Sequence, residues 1–276
     1  VNTARYSIRT FGLEVVLIVI AAVYAFPLYT LVVTAFKTPQ EAANSPLALP
    51  STLSFSNFVQ AWNEADLGSA ILNSVIITVV SVAVVVLVSS MAGYFIARWT
   101  SRWSGRLLAL FLLGLIVPFQ LALIPLYQLM RDMHLLGTHW AVIVYGIGSN
   151  LSLSIFLYTG FLRSLGSEYE EAAMIDGATP LRAFWLVVFP LMKPITGTVL
   201  ILGAIDVWNA FLVPNLFLSG TGQETIPVAI FSFVGEFASQ WHIVFAGLLI
   251  GLAPILIAFL AMQQRMIQGF AGGLKG

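Results

Sequence analysis

Few residues in this chain can do chemistry, and their positions narrow that chemistry at once. Asp206 is the only acid placed deep in an apolar run, in the stretch DVWNAFLVPN, with Trp208, Asn209 and Phe211 close behind it and Pro214 beyond. An ionisable group at membrane depth is expensive and marks either a solute route or a hydrogen-bonded anchor between helices. Asp206, Trp208, Asn209 and Phe211 are therefore the candidate pathway residues, with the structural anchor as the competing reading. Other reactive groups are missing. The chain has no cysteine, and His134, His139 and His242 lie far apart without metal-ligand spacing. No G-x-x-x-x-G-K-[ST], H-E-x-x-H or G-x-S-x-G occurs. Any ATP that drives this protein is hydrolysed elsewhere than on a P-loop of its own.

The elements that must hold these residues are membrane helices. Of 276 residues, 59% are hydrophobic and 9% charged, with mean hydropathy +0.95. Soluble domains carry roughly a quarter charged residues, so the deficit is too large for a water-facing surface. The formal net charge is zero, which removes the electrostatic case for nucleic acid. A helix needs about 20 apolar residues to cross the hydrocarbon with every amide paired inside the segment. Six stretches qualify, at 11–34, 70–97, 107–130, 139–161, 192–217 and 241–262, and predict an all-α membrane protein with six transmembrane helices. Arg5 and Arg9 ahead of the first imitate a signal peptide, but that run outlasts an h-region and lacks an Ala-x-Ala end, so a retained helix bent at Pro27 is expected. Pro118 and Pro125 interrupt the third stretch, and Pro214 is expected to open the fifth beyond Asn209. Asn73, Ser74 and Thr78 read as glue between helices, and Ser89, Ser90 and Gly93 as close-packing positions.

Orientation follows from the short connections. Arg5, Arg9, Arg98, Arg102, Arg106, Arg163, Arg182, Lys193, Arg265 and Lys275, ten of the twelve basic residues, share one side with both termini, against Lys37 and Arg131 on the other. Positive charge collects on the cytoplasmic side, so both termini are expected there. Outside, residues 37–69 carry a short surface helix near Phe55 to Trp62, and 218–240 an apolar run too short to span.

One inner connection is long and looks folded: FLRSLGSEYEEAAMIDGATPLRAFWLVVFPLMKP. Ser167 and Glu170 have capping-box spacing, which predicts a helix through Glu171, Ala172, Ala173 and Met174. Asp176-Gly177 stops it, and Thr179 with Pro180 starts a second helix, whose Leu181, Phe184, Trp185 and Val188 form one apolar stripe. An interfacial helix resting on headgroups is the plain reading. The carboxylates Glu168, Glu170 and Glu171 favour a docking element for a soluble partner, because the anionic inner leaflet would repel them.

This loop resembles the Glu-Ala-Ala…Gly loop of binding-protein-dependent ABC importer permeases, carried here by Glu171, Ala172, Ala173 and Gly177 with Asp176, Ala178, Pro190 and Pro194. Within that superfamily the chain is similar to the six-span carbohydrate permeases of the maltose and glycerol-phosphate type. The likeness lies in Trp208, Asn209, Phe211 and Pro214, in Thr225-Ile226-Pro227, and in a tail of Gln264, Arg265, Met266, Ile267, Gln268, Gly269, Gly272, Gly273, Lys275 and Gly276. The resemblance implies a type I importer permease in a bacterial inner membrane. Its parts would be an N-terminal helix and outer loop (1–65), a transmembrane domain (66–270) with coupling loop 163–194, and a cytoplasmic tail (271–276). It implies a second permease, two ATP-binding cassette subunits that hold ATP and Mg, and an extracytoplasmic solute-binding protein. No cofactor would sit on this chain. Glu170, Glu171, Ala172, Ala173, Asp176 and Gly177 would couple to an ATPase, and Gln264, Arg265, Gly269 and Lys275 would reach between the ATPases. In the maltose case the membrane sugar site lies mainly on the other permease.

Three readings compete with a sugar importer half. A permease for polyamine, amino acid or another solute shares the loop. A secondary transporter would need its coupling site in this chain, where Asp206 is the sole candidate, and would leave the loop unexplained. A membrane enzyme lacks a cluster of His, Asp or Glu at one depth. Tyr29, Phe119, Tyr127, Tyr145, Phe156, Tyr158, Trp208 and Phe211 can stack on a sugar ring, although most of the twenty Phe serve lipid contact and core.

Overall fold

The computed structural model describes residues 8–237 and 240–273, with side chains for 10–237 and 240–261. Backbone amides in lipid must be paired inside the chain, and the apolar stretches accordingly all become helix. In order these are α1 (Ile8–Ala35), α2 (Pro39–Asn44), α3 (Ser56–Glu64), α4 (Leu67–Arg98), α5 (Arg102–Ile116), α6 (Leu123–Asp132), α7 (His139–Ser164) and α8 (Glu168–Ile175). They continue with α9 (Pro180–Ala183), α10 (Phe189–Leu191), α11 (Lys193–Asn209), α12 (Leu212–Leu218), α13 (Ile226–Glu236) and α14 (Trp241–Gly273). A π turn, Phe184–Val188, joins α9 to α10.

Among the described residues, four segments are single helices long and apolar enough to span: Thr10–Ala35, Leu67–Arg98, His139–Ser164 and Trp241–Ala261. Two further candidates are bent pairs, Arg102–Ile116 with Phe119–Asp132 at 88° and Pro180–Leu191 with Lys193–Asn209 at 76°. The crossings therefore number four, or up to six if each bent pair counts as one. Proline sets the first bend: Val117 precedes Pro118 and is pushed into the extended region (φ −72°, ψ 120°). Helix α1, by contrast, runs unbroken through Pro27.

The fifth stretch opens beyond Asn209, as expected. Its helix ends at that residue, and Ala210 is extended (φ −59°, ψ 126°). The ring of a proline collides with the carbonyl four residues earlier, which here is that of Ala210. Pro214 then sits in the first turn of α12, where it is tolerated.

The chain divides into two compact units. Residues up to Leu67 with Ala229–Leu252 form the first, and Gly68–Val228 with Ala253 onward the second. In the first, Asn57 Nδ2 donates to the Ala35 and Lys37 carbonyls at 2.8 Å each, closing the end of α1. The fully buried Lys37 donates its ammonium to the Pro46 carbonyl at 2.8 Å and the Ser45 carbonyl at 2.5 Å. Thr38 and Glu41 form a capping box on α2. Glu41 also accepts from the hydroxyl and amide of Ser51, which holds its carboxyl below the usual range.

In the second unit α7 packs against α5, α11 and α12, and α4 adds residues to both apolar cores. One core joins Ile77, Met130, Val142, Val207 and Phe217, and the other Val85, Tyr158, Leu162, Phe184, Val188 and Met192. Asn73 and Ser74 bond outward to a loop and the start of α13, to the Glu224 carbonyl and the Ile226 amide, and not between membrane helices. Thr78 Oγ1 is buried without a partner among the described residues. Ser89 and Ser90 are fully buried, as close packing requires. A Cβ on Gly93 would lie 2.7 Å from Tyr158 Cβ, and Tyr158 is itself buried with its hydroxyl 3.0 Å from Thr196 Oγ1. Nothing there can swing aside. Gly93→Val should destabilise the chain by ~1–3 kcal/mol through overpacking. A melting temperature in detergent equal to that of the wild type would show that α4 and α7 part without cost.

Candidate functional site

The loop between α7 and α11 folds as two short helices about a glycine. Three acidic residues occupy the first turn of α8, where the helix dipole favours them. Gly177 takes φ +89°, and the amides of Gly177 and Ala178 return to the Met174 and Ala173 carbonyls at 3.0 and 2.9 Å. That is the stop expected from Asp176-Gly177. Thr179 Oγ1 then accepts from the Arg182 amide at 3.4 Å with Pro180 at the first helical position, the start expected from Thr-Pro. Two details differ. Ser167 makes no side-chain cap; it lies in the αR region and its hydroxyl donates to Glu171 at 2.6 Å. The apolar stripe is also split: Phe184 and Val188 are buried, whereas Leu181 is exposed, because the π turn shifts the helical phase.

Glu170 is absent from the cap because it is engaged by Arg98. This carboxylate, 3% exposed, receives both the Nε and Nη2 hydrogens of Arg98 at the end of α4. The same guanidinium donates to the carbonyls of Leu162 and Leu165 through Nη1, at 2.8 and 3.1 Å, and of Gly166 through Nη2, at 3.1 Å. Arg98 thus closes the end of α7 and ties α8 to α4 in one planar fork, a geometry lysine lacks. The other loop candidates lie differently: Glu171, Ala172, Asp176 and Gly177 are exposed and Ala173 is half-buried. Beside them Tyr169, Met174 and Ile175 are exposed, Ile175 to 87%. Sequence reading weighed Arg98 only as a topological charge, and its spacing of 72 residues from Glu170 carries no local signal.

The pathway candidates separate. Asp206, Asn209 and Phe211 line a cavity of about 380 Å3 with Phe119, Tyr145, Ile205, Ala210, Leu212 and Val213. Trp208, 7% exposed, is buried and does not reach it. On a helix, residues i and i+3 share a face while i+2 points away, which explains the split. Asp206 Oδ2 accepts from Asn150 Nδ2 on α7 at 2.9 Å. Asn209 Nδ2 donates to the Ile205 carbonyl at 2.9 Å. The helix break at Ala210 and Phe211 contributes irregular backbone to the cavity lining, tolerated inside a membrane only where it lines a cavity or is buried in protein. Of the tail candidates, Gln264, Arg265 and Gly269 lie in α14 with side chains outside the described ones, and Lys275 lies outside the described residues.

Spanning helices, a helix-turn-helix loop clamped to them and a polar cavity at a broken helix define a multi-span membrane permease. The chain belongs to the family of binding-protein-dependent transport system inner membrane components, whose model matches residues 86–270. It is 35% identical over 94% of its length to the melibiose/raffinose/stachyose import permease protein MelC of Bacillus subtilis, covering 94% of that protein. It is 32% identical to the multiple sugar-binding transport system permease protein MsmG of Streptococcus mutans, over 96% of this chain and 97% of that one. Among solved structures, a bacterial ABC transporter involved in import of the acidic polysaccharide alginate superposes with TM-score 0.81 at 21% identity, over 95% of this chain and 99% of that chain. The fold is that of an ABC importer permease.

Proposed function

We propose that this chain is one of two membrane subunits of an ATP-driven carbohydrate importer. It would pass sugar from an extracytoplasmic binding protein by alternating access and couple that passage to two separate ATP-binding cassette subunits. The observation that carries the reading is the α8–α9 loop, which displays Glu171, Ala172, Ala173, Asp176 and Gly177 beside the apolar Tyr169, Met174 and Ile175. Exposed apolar side chains on an otherwise ordered helix pair suit a protein cleft. Glu170 belongs to the same coupling set, acting from behind through Arg98. ATP binding closes the ATPase dimer, the docked loop moves with it, and Arg98 carries that movement to α4 and α7. ATP and Mg stay on the ATPase subunits, and this chain holds no cofactor of its own.

The carbohydrate class is supported by relatives named for raffinose-type and multiple-sugar transport along nearly their whole length. The charge bias of the connections supports a topology with both termini in the cytoplasm, in a bacterial inner membrane. The tail residues Gln264, Arg265, Gly269 and Lys275 then reach the ATPases. The working division is 1–65, 66–270 with the loop 163–194, and 271–276. Mild detergent purification of tagged protein from its native membrane should recover a P-loop ATPase and a second permease. A chain recovered alone and active in sealed vesicles without ATP would make it a secondary transporter.

A further inference from the structure

The cavity at the end of α11 is more elaborately built than a gap between helices needs to be. Asp206 lies exposed at its wall, yet its carboxylate is aimed by a buried group: Asn150 is 8% exposed and shares its amide hydrogens among Asp206 Oδ2, the Gly146 carbonyl at 3.0 Å and Ser149 Oγ at 3.2 Å. Among the described residues nothing else donates to the carboxylate, so Oδ1 remains an open acceptor. Three residues on, the Asn209 amide spends a hydrogen on Ile205 and its oxygen has no partner among the described residues, a second acceptor on the same helix face. Phe119 and Tyr145 stand in the lining with ring centroids 6.3 Å apart, inclined at 53°. The lining holds one carboxylate and no Lys, Arg or His. A volume of about 380 Å3 falls within the range of small-molecule sites.

We infer that this cavity is a carbohydrate subsite belonging to this chain itself, which accepts neutral hydroxyl-bearing rings and turns away anionic sugars, with Asp206 as the discriminating residue. The inference rests on the importer reading above. Sugar hydroxyls are donors that carboxylate and amide oxygens accept, and the aromatic rings offer an apolar wall to the ring faces. A uronate or sulfonate would instead bring a like charge to a carboxylate that has no cation among the described lining residues to offset it. A purely structural anchor would need neither exposure nor charge: an amide could meet Asn150 equally well.

The absence of cysteine makes a direct test possible. Leu212, 46% exposed in the lining, is replaced by cysteine, with Ala210→Cys as a second reporter should the first fail to assemble. Alkylation of this subunit by N-ethylmaleimide is followed by mass in the complete purified complex without binding protein, so that no upstream filter intervenes. Raffinose and maltotriose are compared with trigalacturonate at equal concentration. At least one neutral trisaccharide should slow alkylation about threefold or more, the occupancy expected at twice Kd, and trigalacturonate should not. Adding Asp206→Ala should abolish the protection, and Asp206→Asn should let trigalacturonate protect. Lack of protection by either neutral sugar, or equal protection by trigalacturonate, overturns the inference. A preparation lacking the ATPase would speak against the importer reading instead, so the two failures are distinct.

Discussion

Gly177→Val is expected to abolish recovery of the ATPase with this chain while leaving its membrane insertion intact. The reason is conformational. Gly177 sits at φ +89°, and a Cβ there would meet no atom within 4 Å, so the chain itself has room for a side chain. What it lacks is a permitted backbone: the left-handed region costs an L-residue ~1–2 kcal/mol, and a β-branched one more. Valine would move to an extended conformation, the return of the Ala178 amide to Ala173 would be lost, and α8 and α9 would leave their mutual angle. A docking surface made of both helices cannot survive that. A graded series tests the cause, because Asn tolerates positive φ better than Ala and Ala better than Val. Recovery should fall in that order. Ablation by Asn as complete as that by Val would mean that the partner needs the bare backbone of glycine, and normal recovery with Val would sink the docking role.

The second large effect concerns Arg98 and Glu170. Glu170→Ala leaves a guanidinium facing three carbonyls without its counter-charge, and Arg98→Ala leaves a carboxylate 3% exposed with no cation. Breaking a buried ion pair costs ~3–5 kcal/mol, less here because the Arg98 side chain is 21% exposed. Each single substitution should reduce sugar-stimulated ATPase activity about tenfold or more, and the double substitution should do little further harm, since neighbours in one network are not additive. The coupling is read as a double-mutant cycle on stimulated ATPase rate, with basal rate and complex recovery as controls. Arg98→Lys should rescue poorly, because a point charge cannot serve the carboxylate and three carbonyls at once. Additive losses would show that the pair does not transmit movement from the loop to α4.

Much of this protein was legible in one dimension. Lipid removes the alternatives to helix, so hydrophobic runs of sufficient length declare the membrane class without any tertiary knowledge. Local rules also served where the cause is local: Asp176-Gly177 stops a helix and Thr179-Pro180 starts one. Ser167 failed as a capping box because a partner 72 residues from Glu170 competes for that carboxylate and wins with a charge-assisted fork. Pro214 marked a real interruption, but the collision acts four residues upstream, so the opening falls at Ala210 and Phe211.

The candidate site divides along the same line. Sequence by itself determined that this is an all-helical membrane permease with a built loop carrying Glu171 and Gly177, and that Asp206 is an acid set within an apolar run, because hydropathy, turn chemistry and motif spacing act within a few residues. Only the tertiary structure decided that Arg98 holds Glu170, that Asn150 aims Asp206, and that Phe119 and Tyr145 share its cavity. Those pairings join helices far apart in the chain, and the physical reason they were hidden is that a hydrogen bond or ion pair constrains distance in space and leaves no periodicity in sequence.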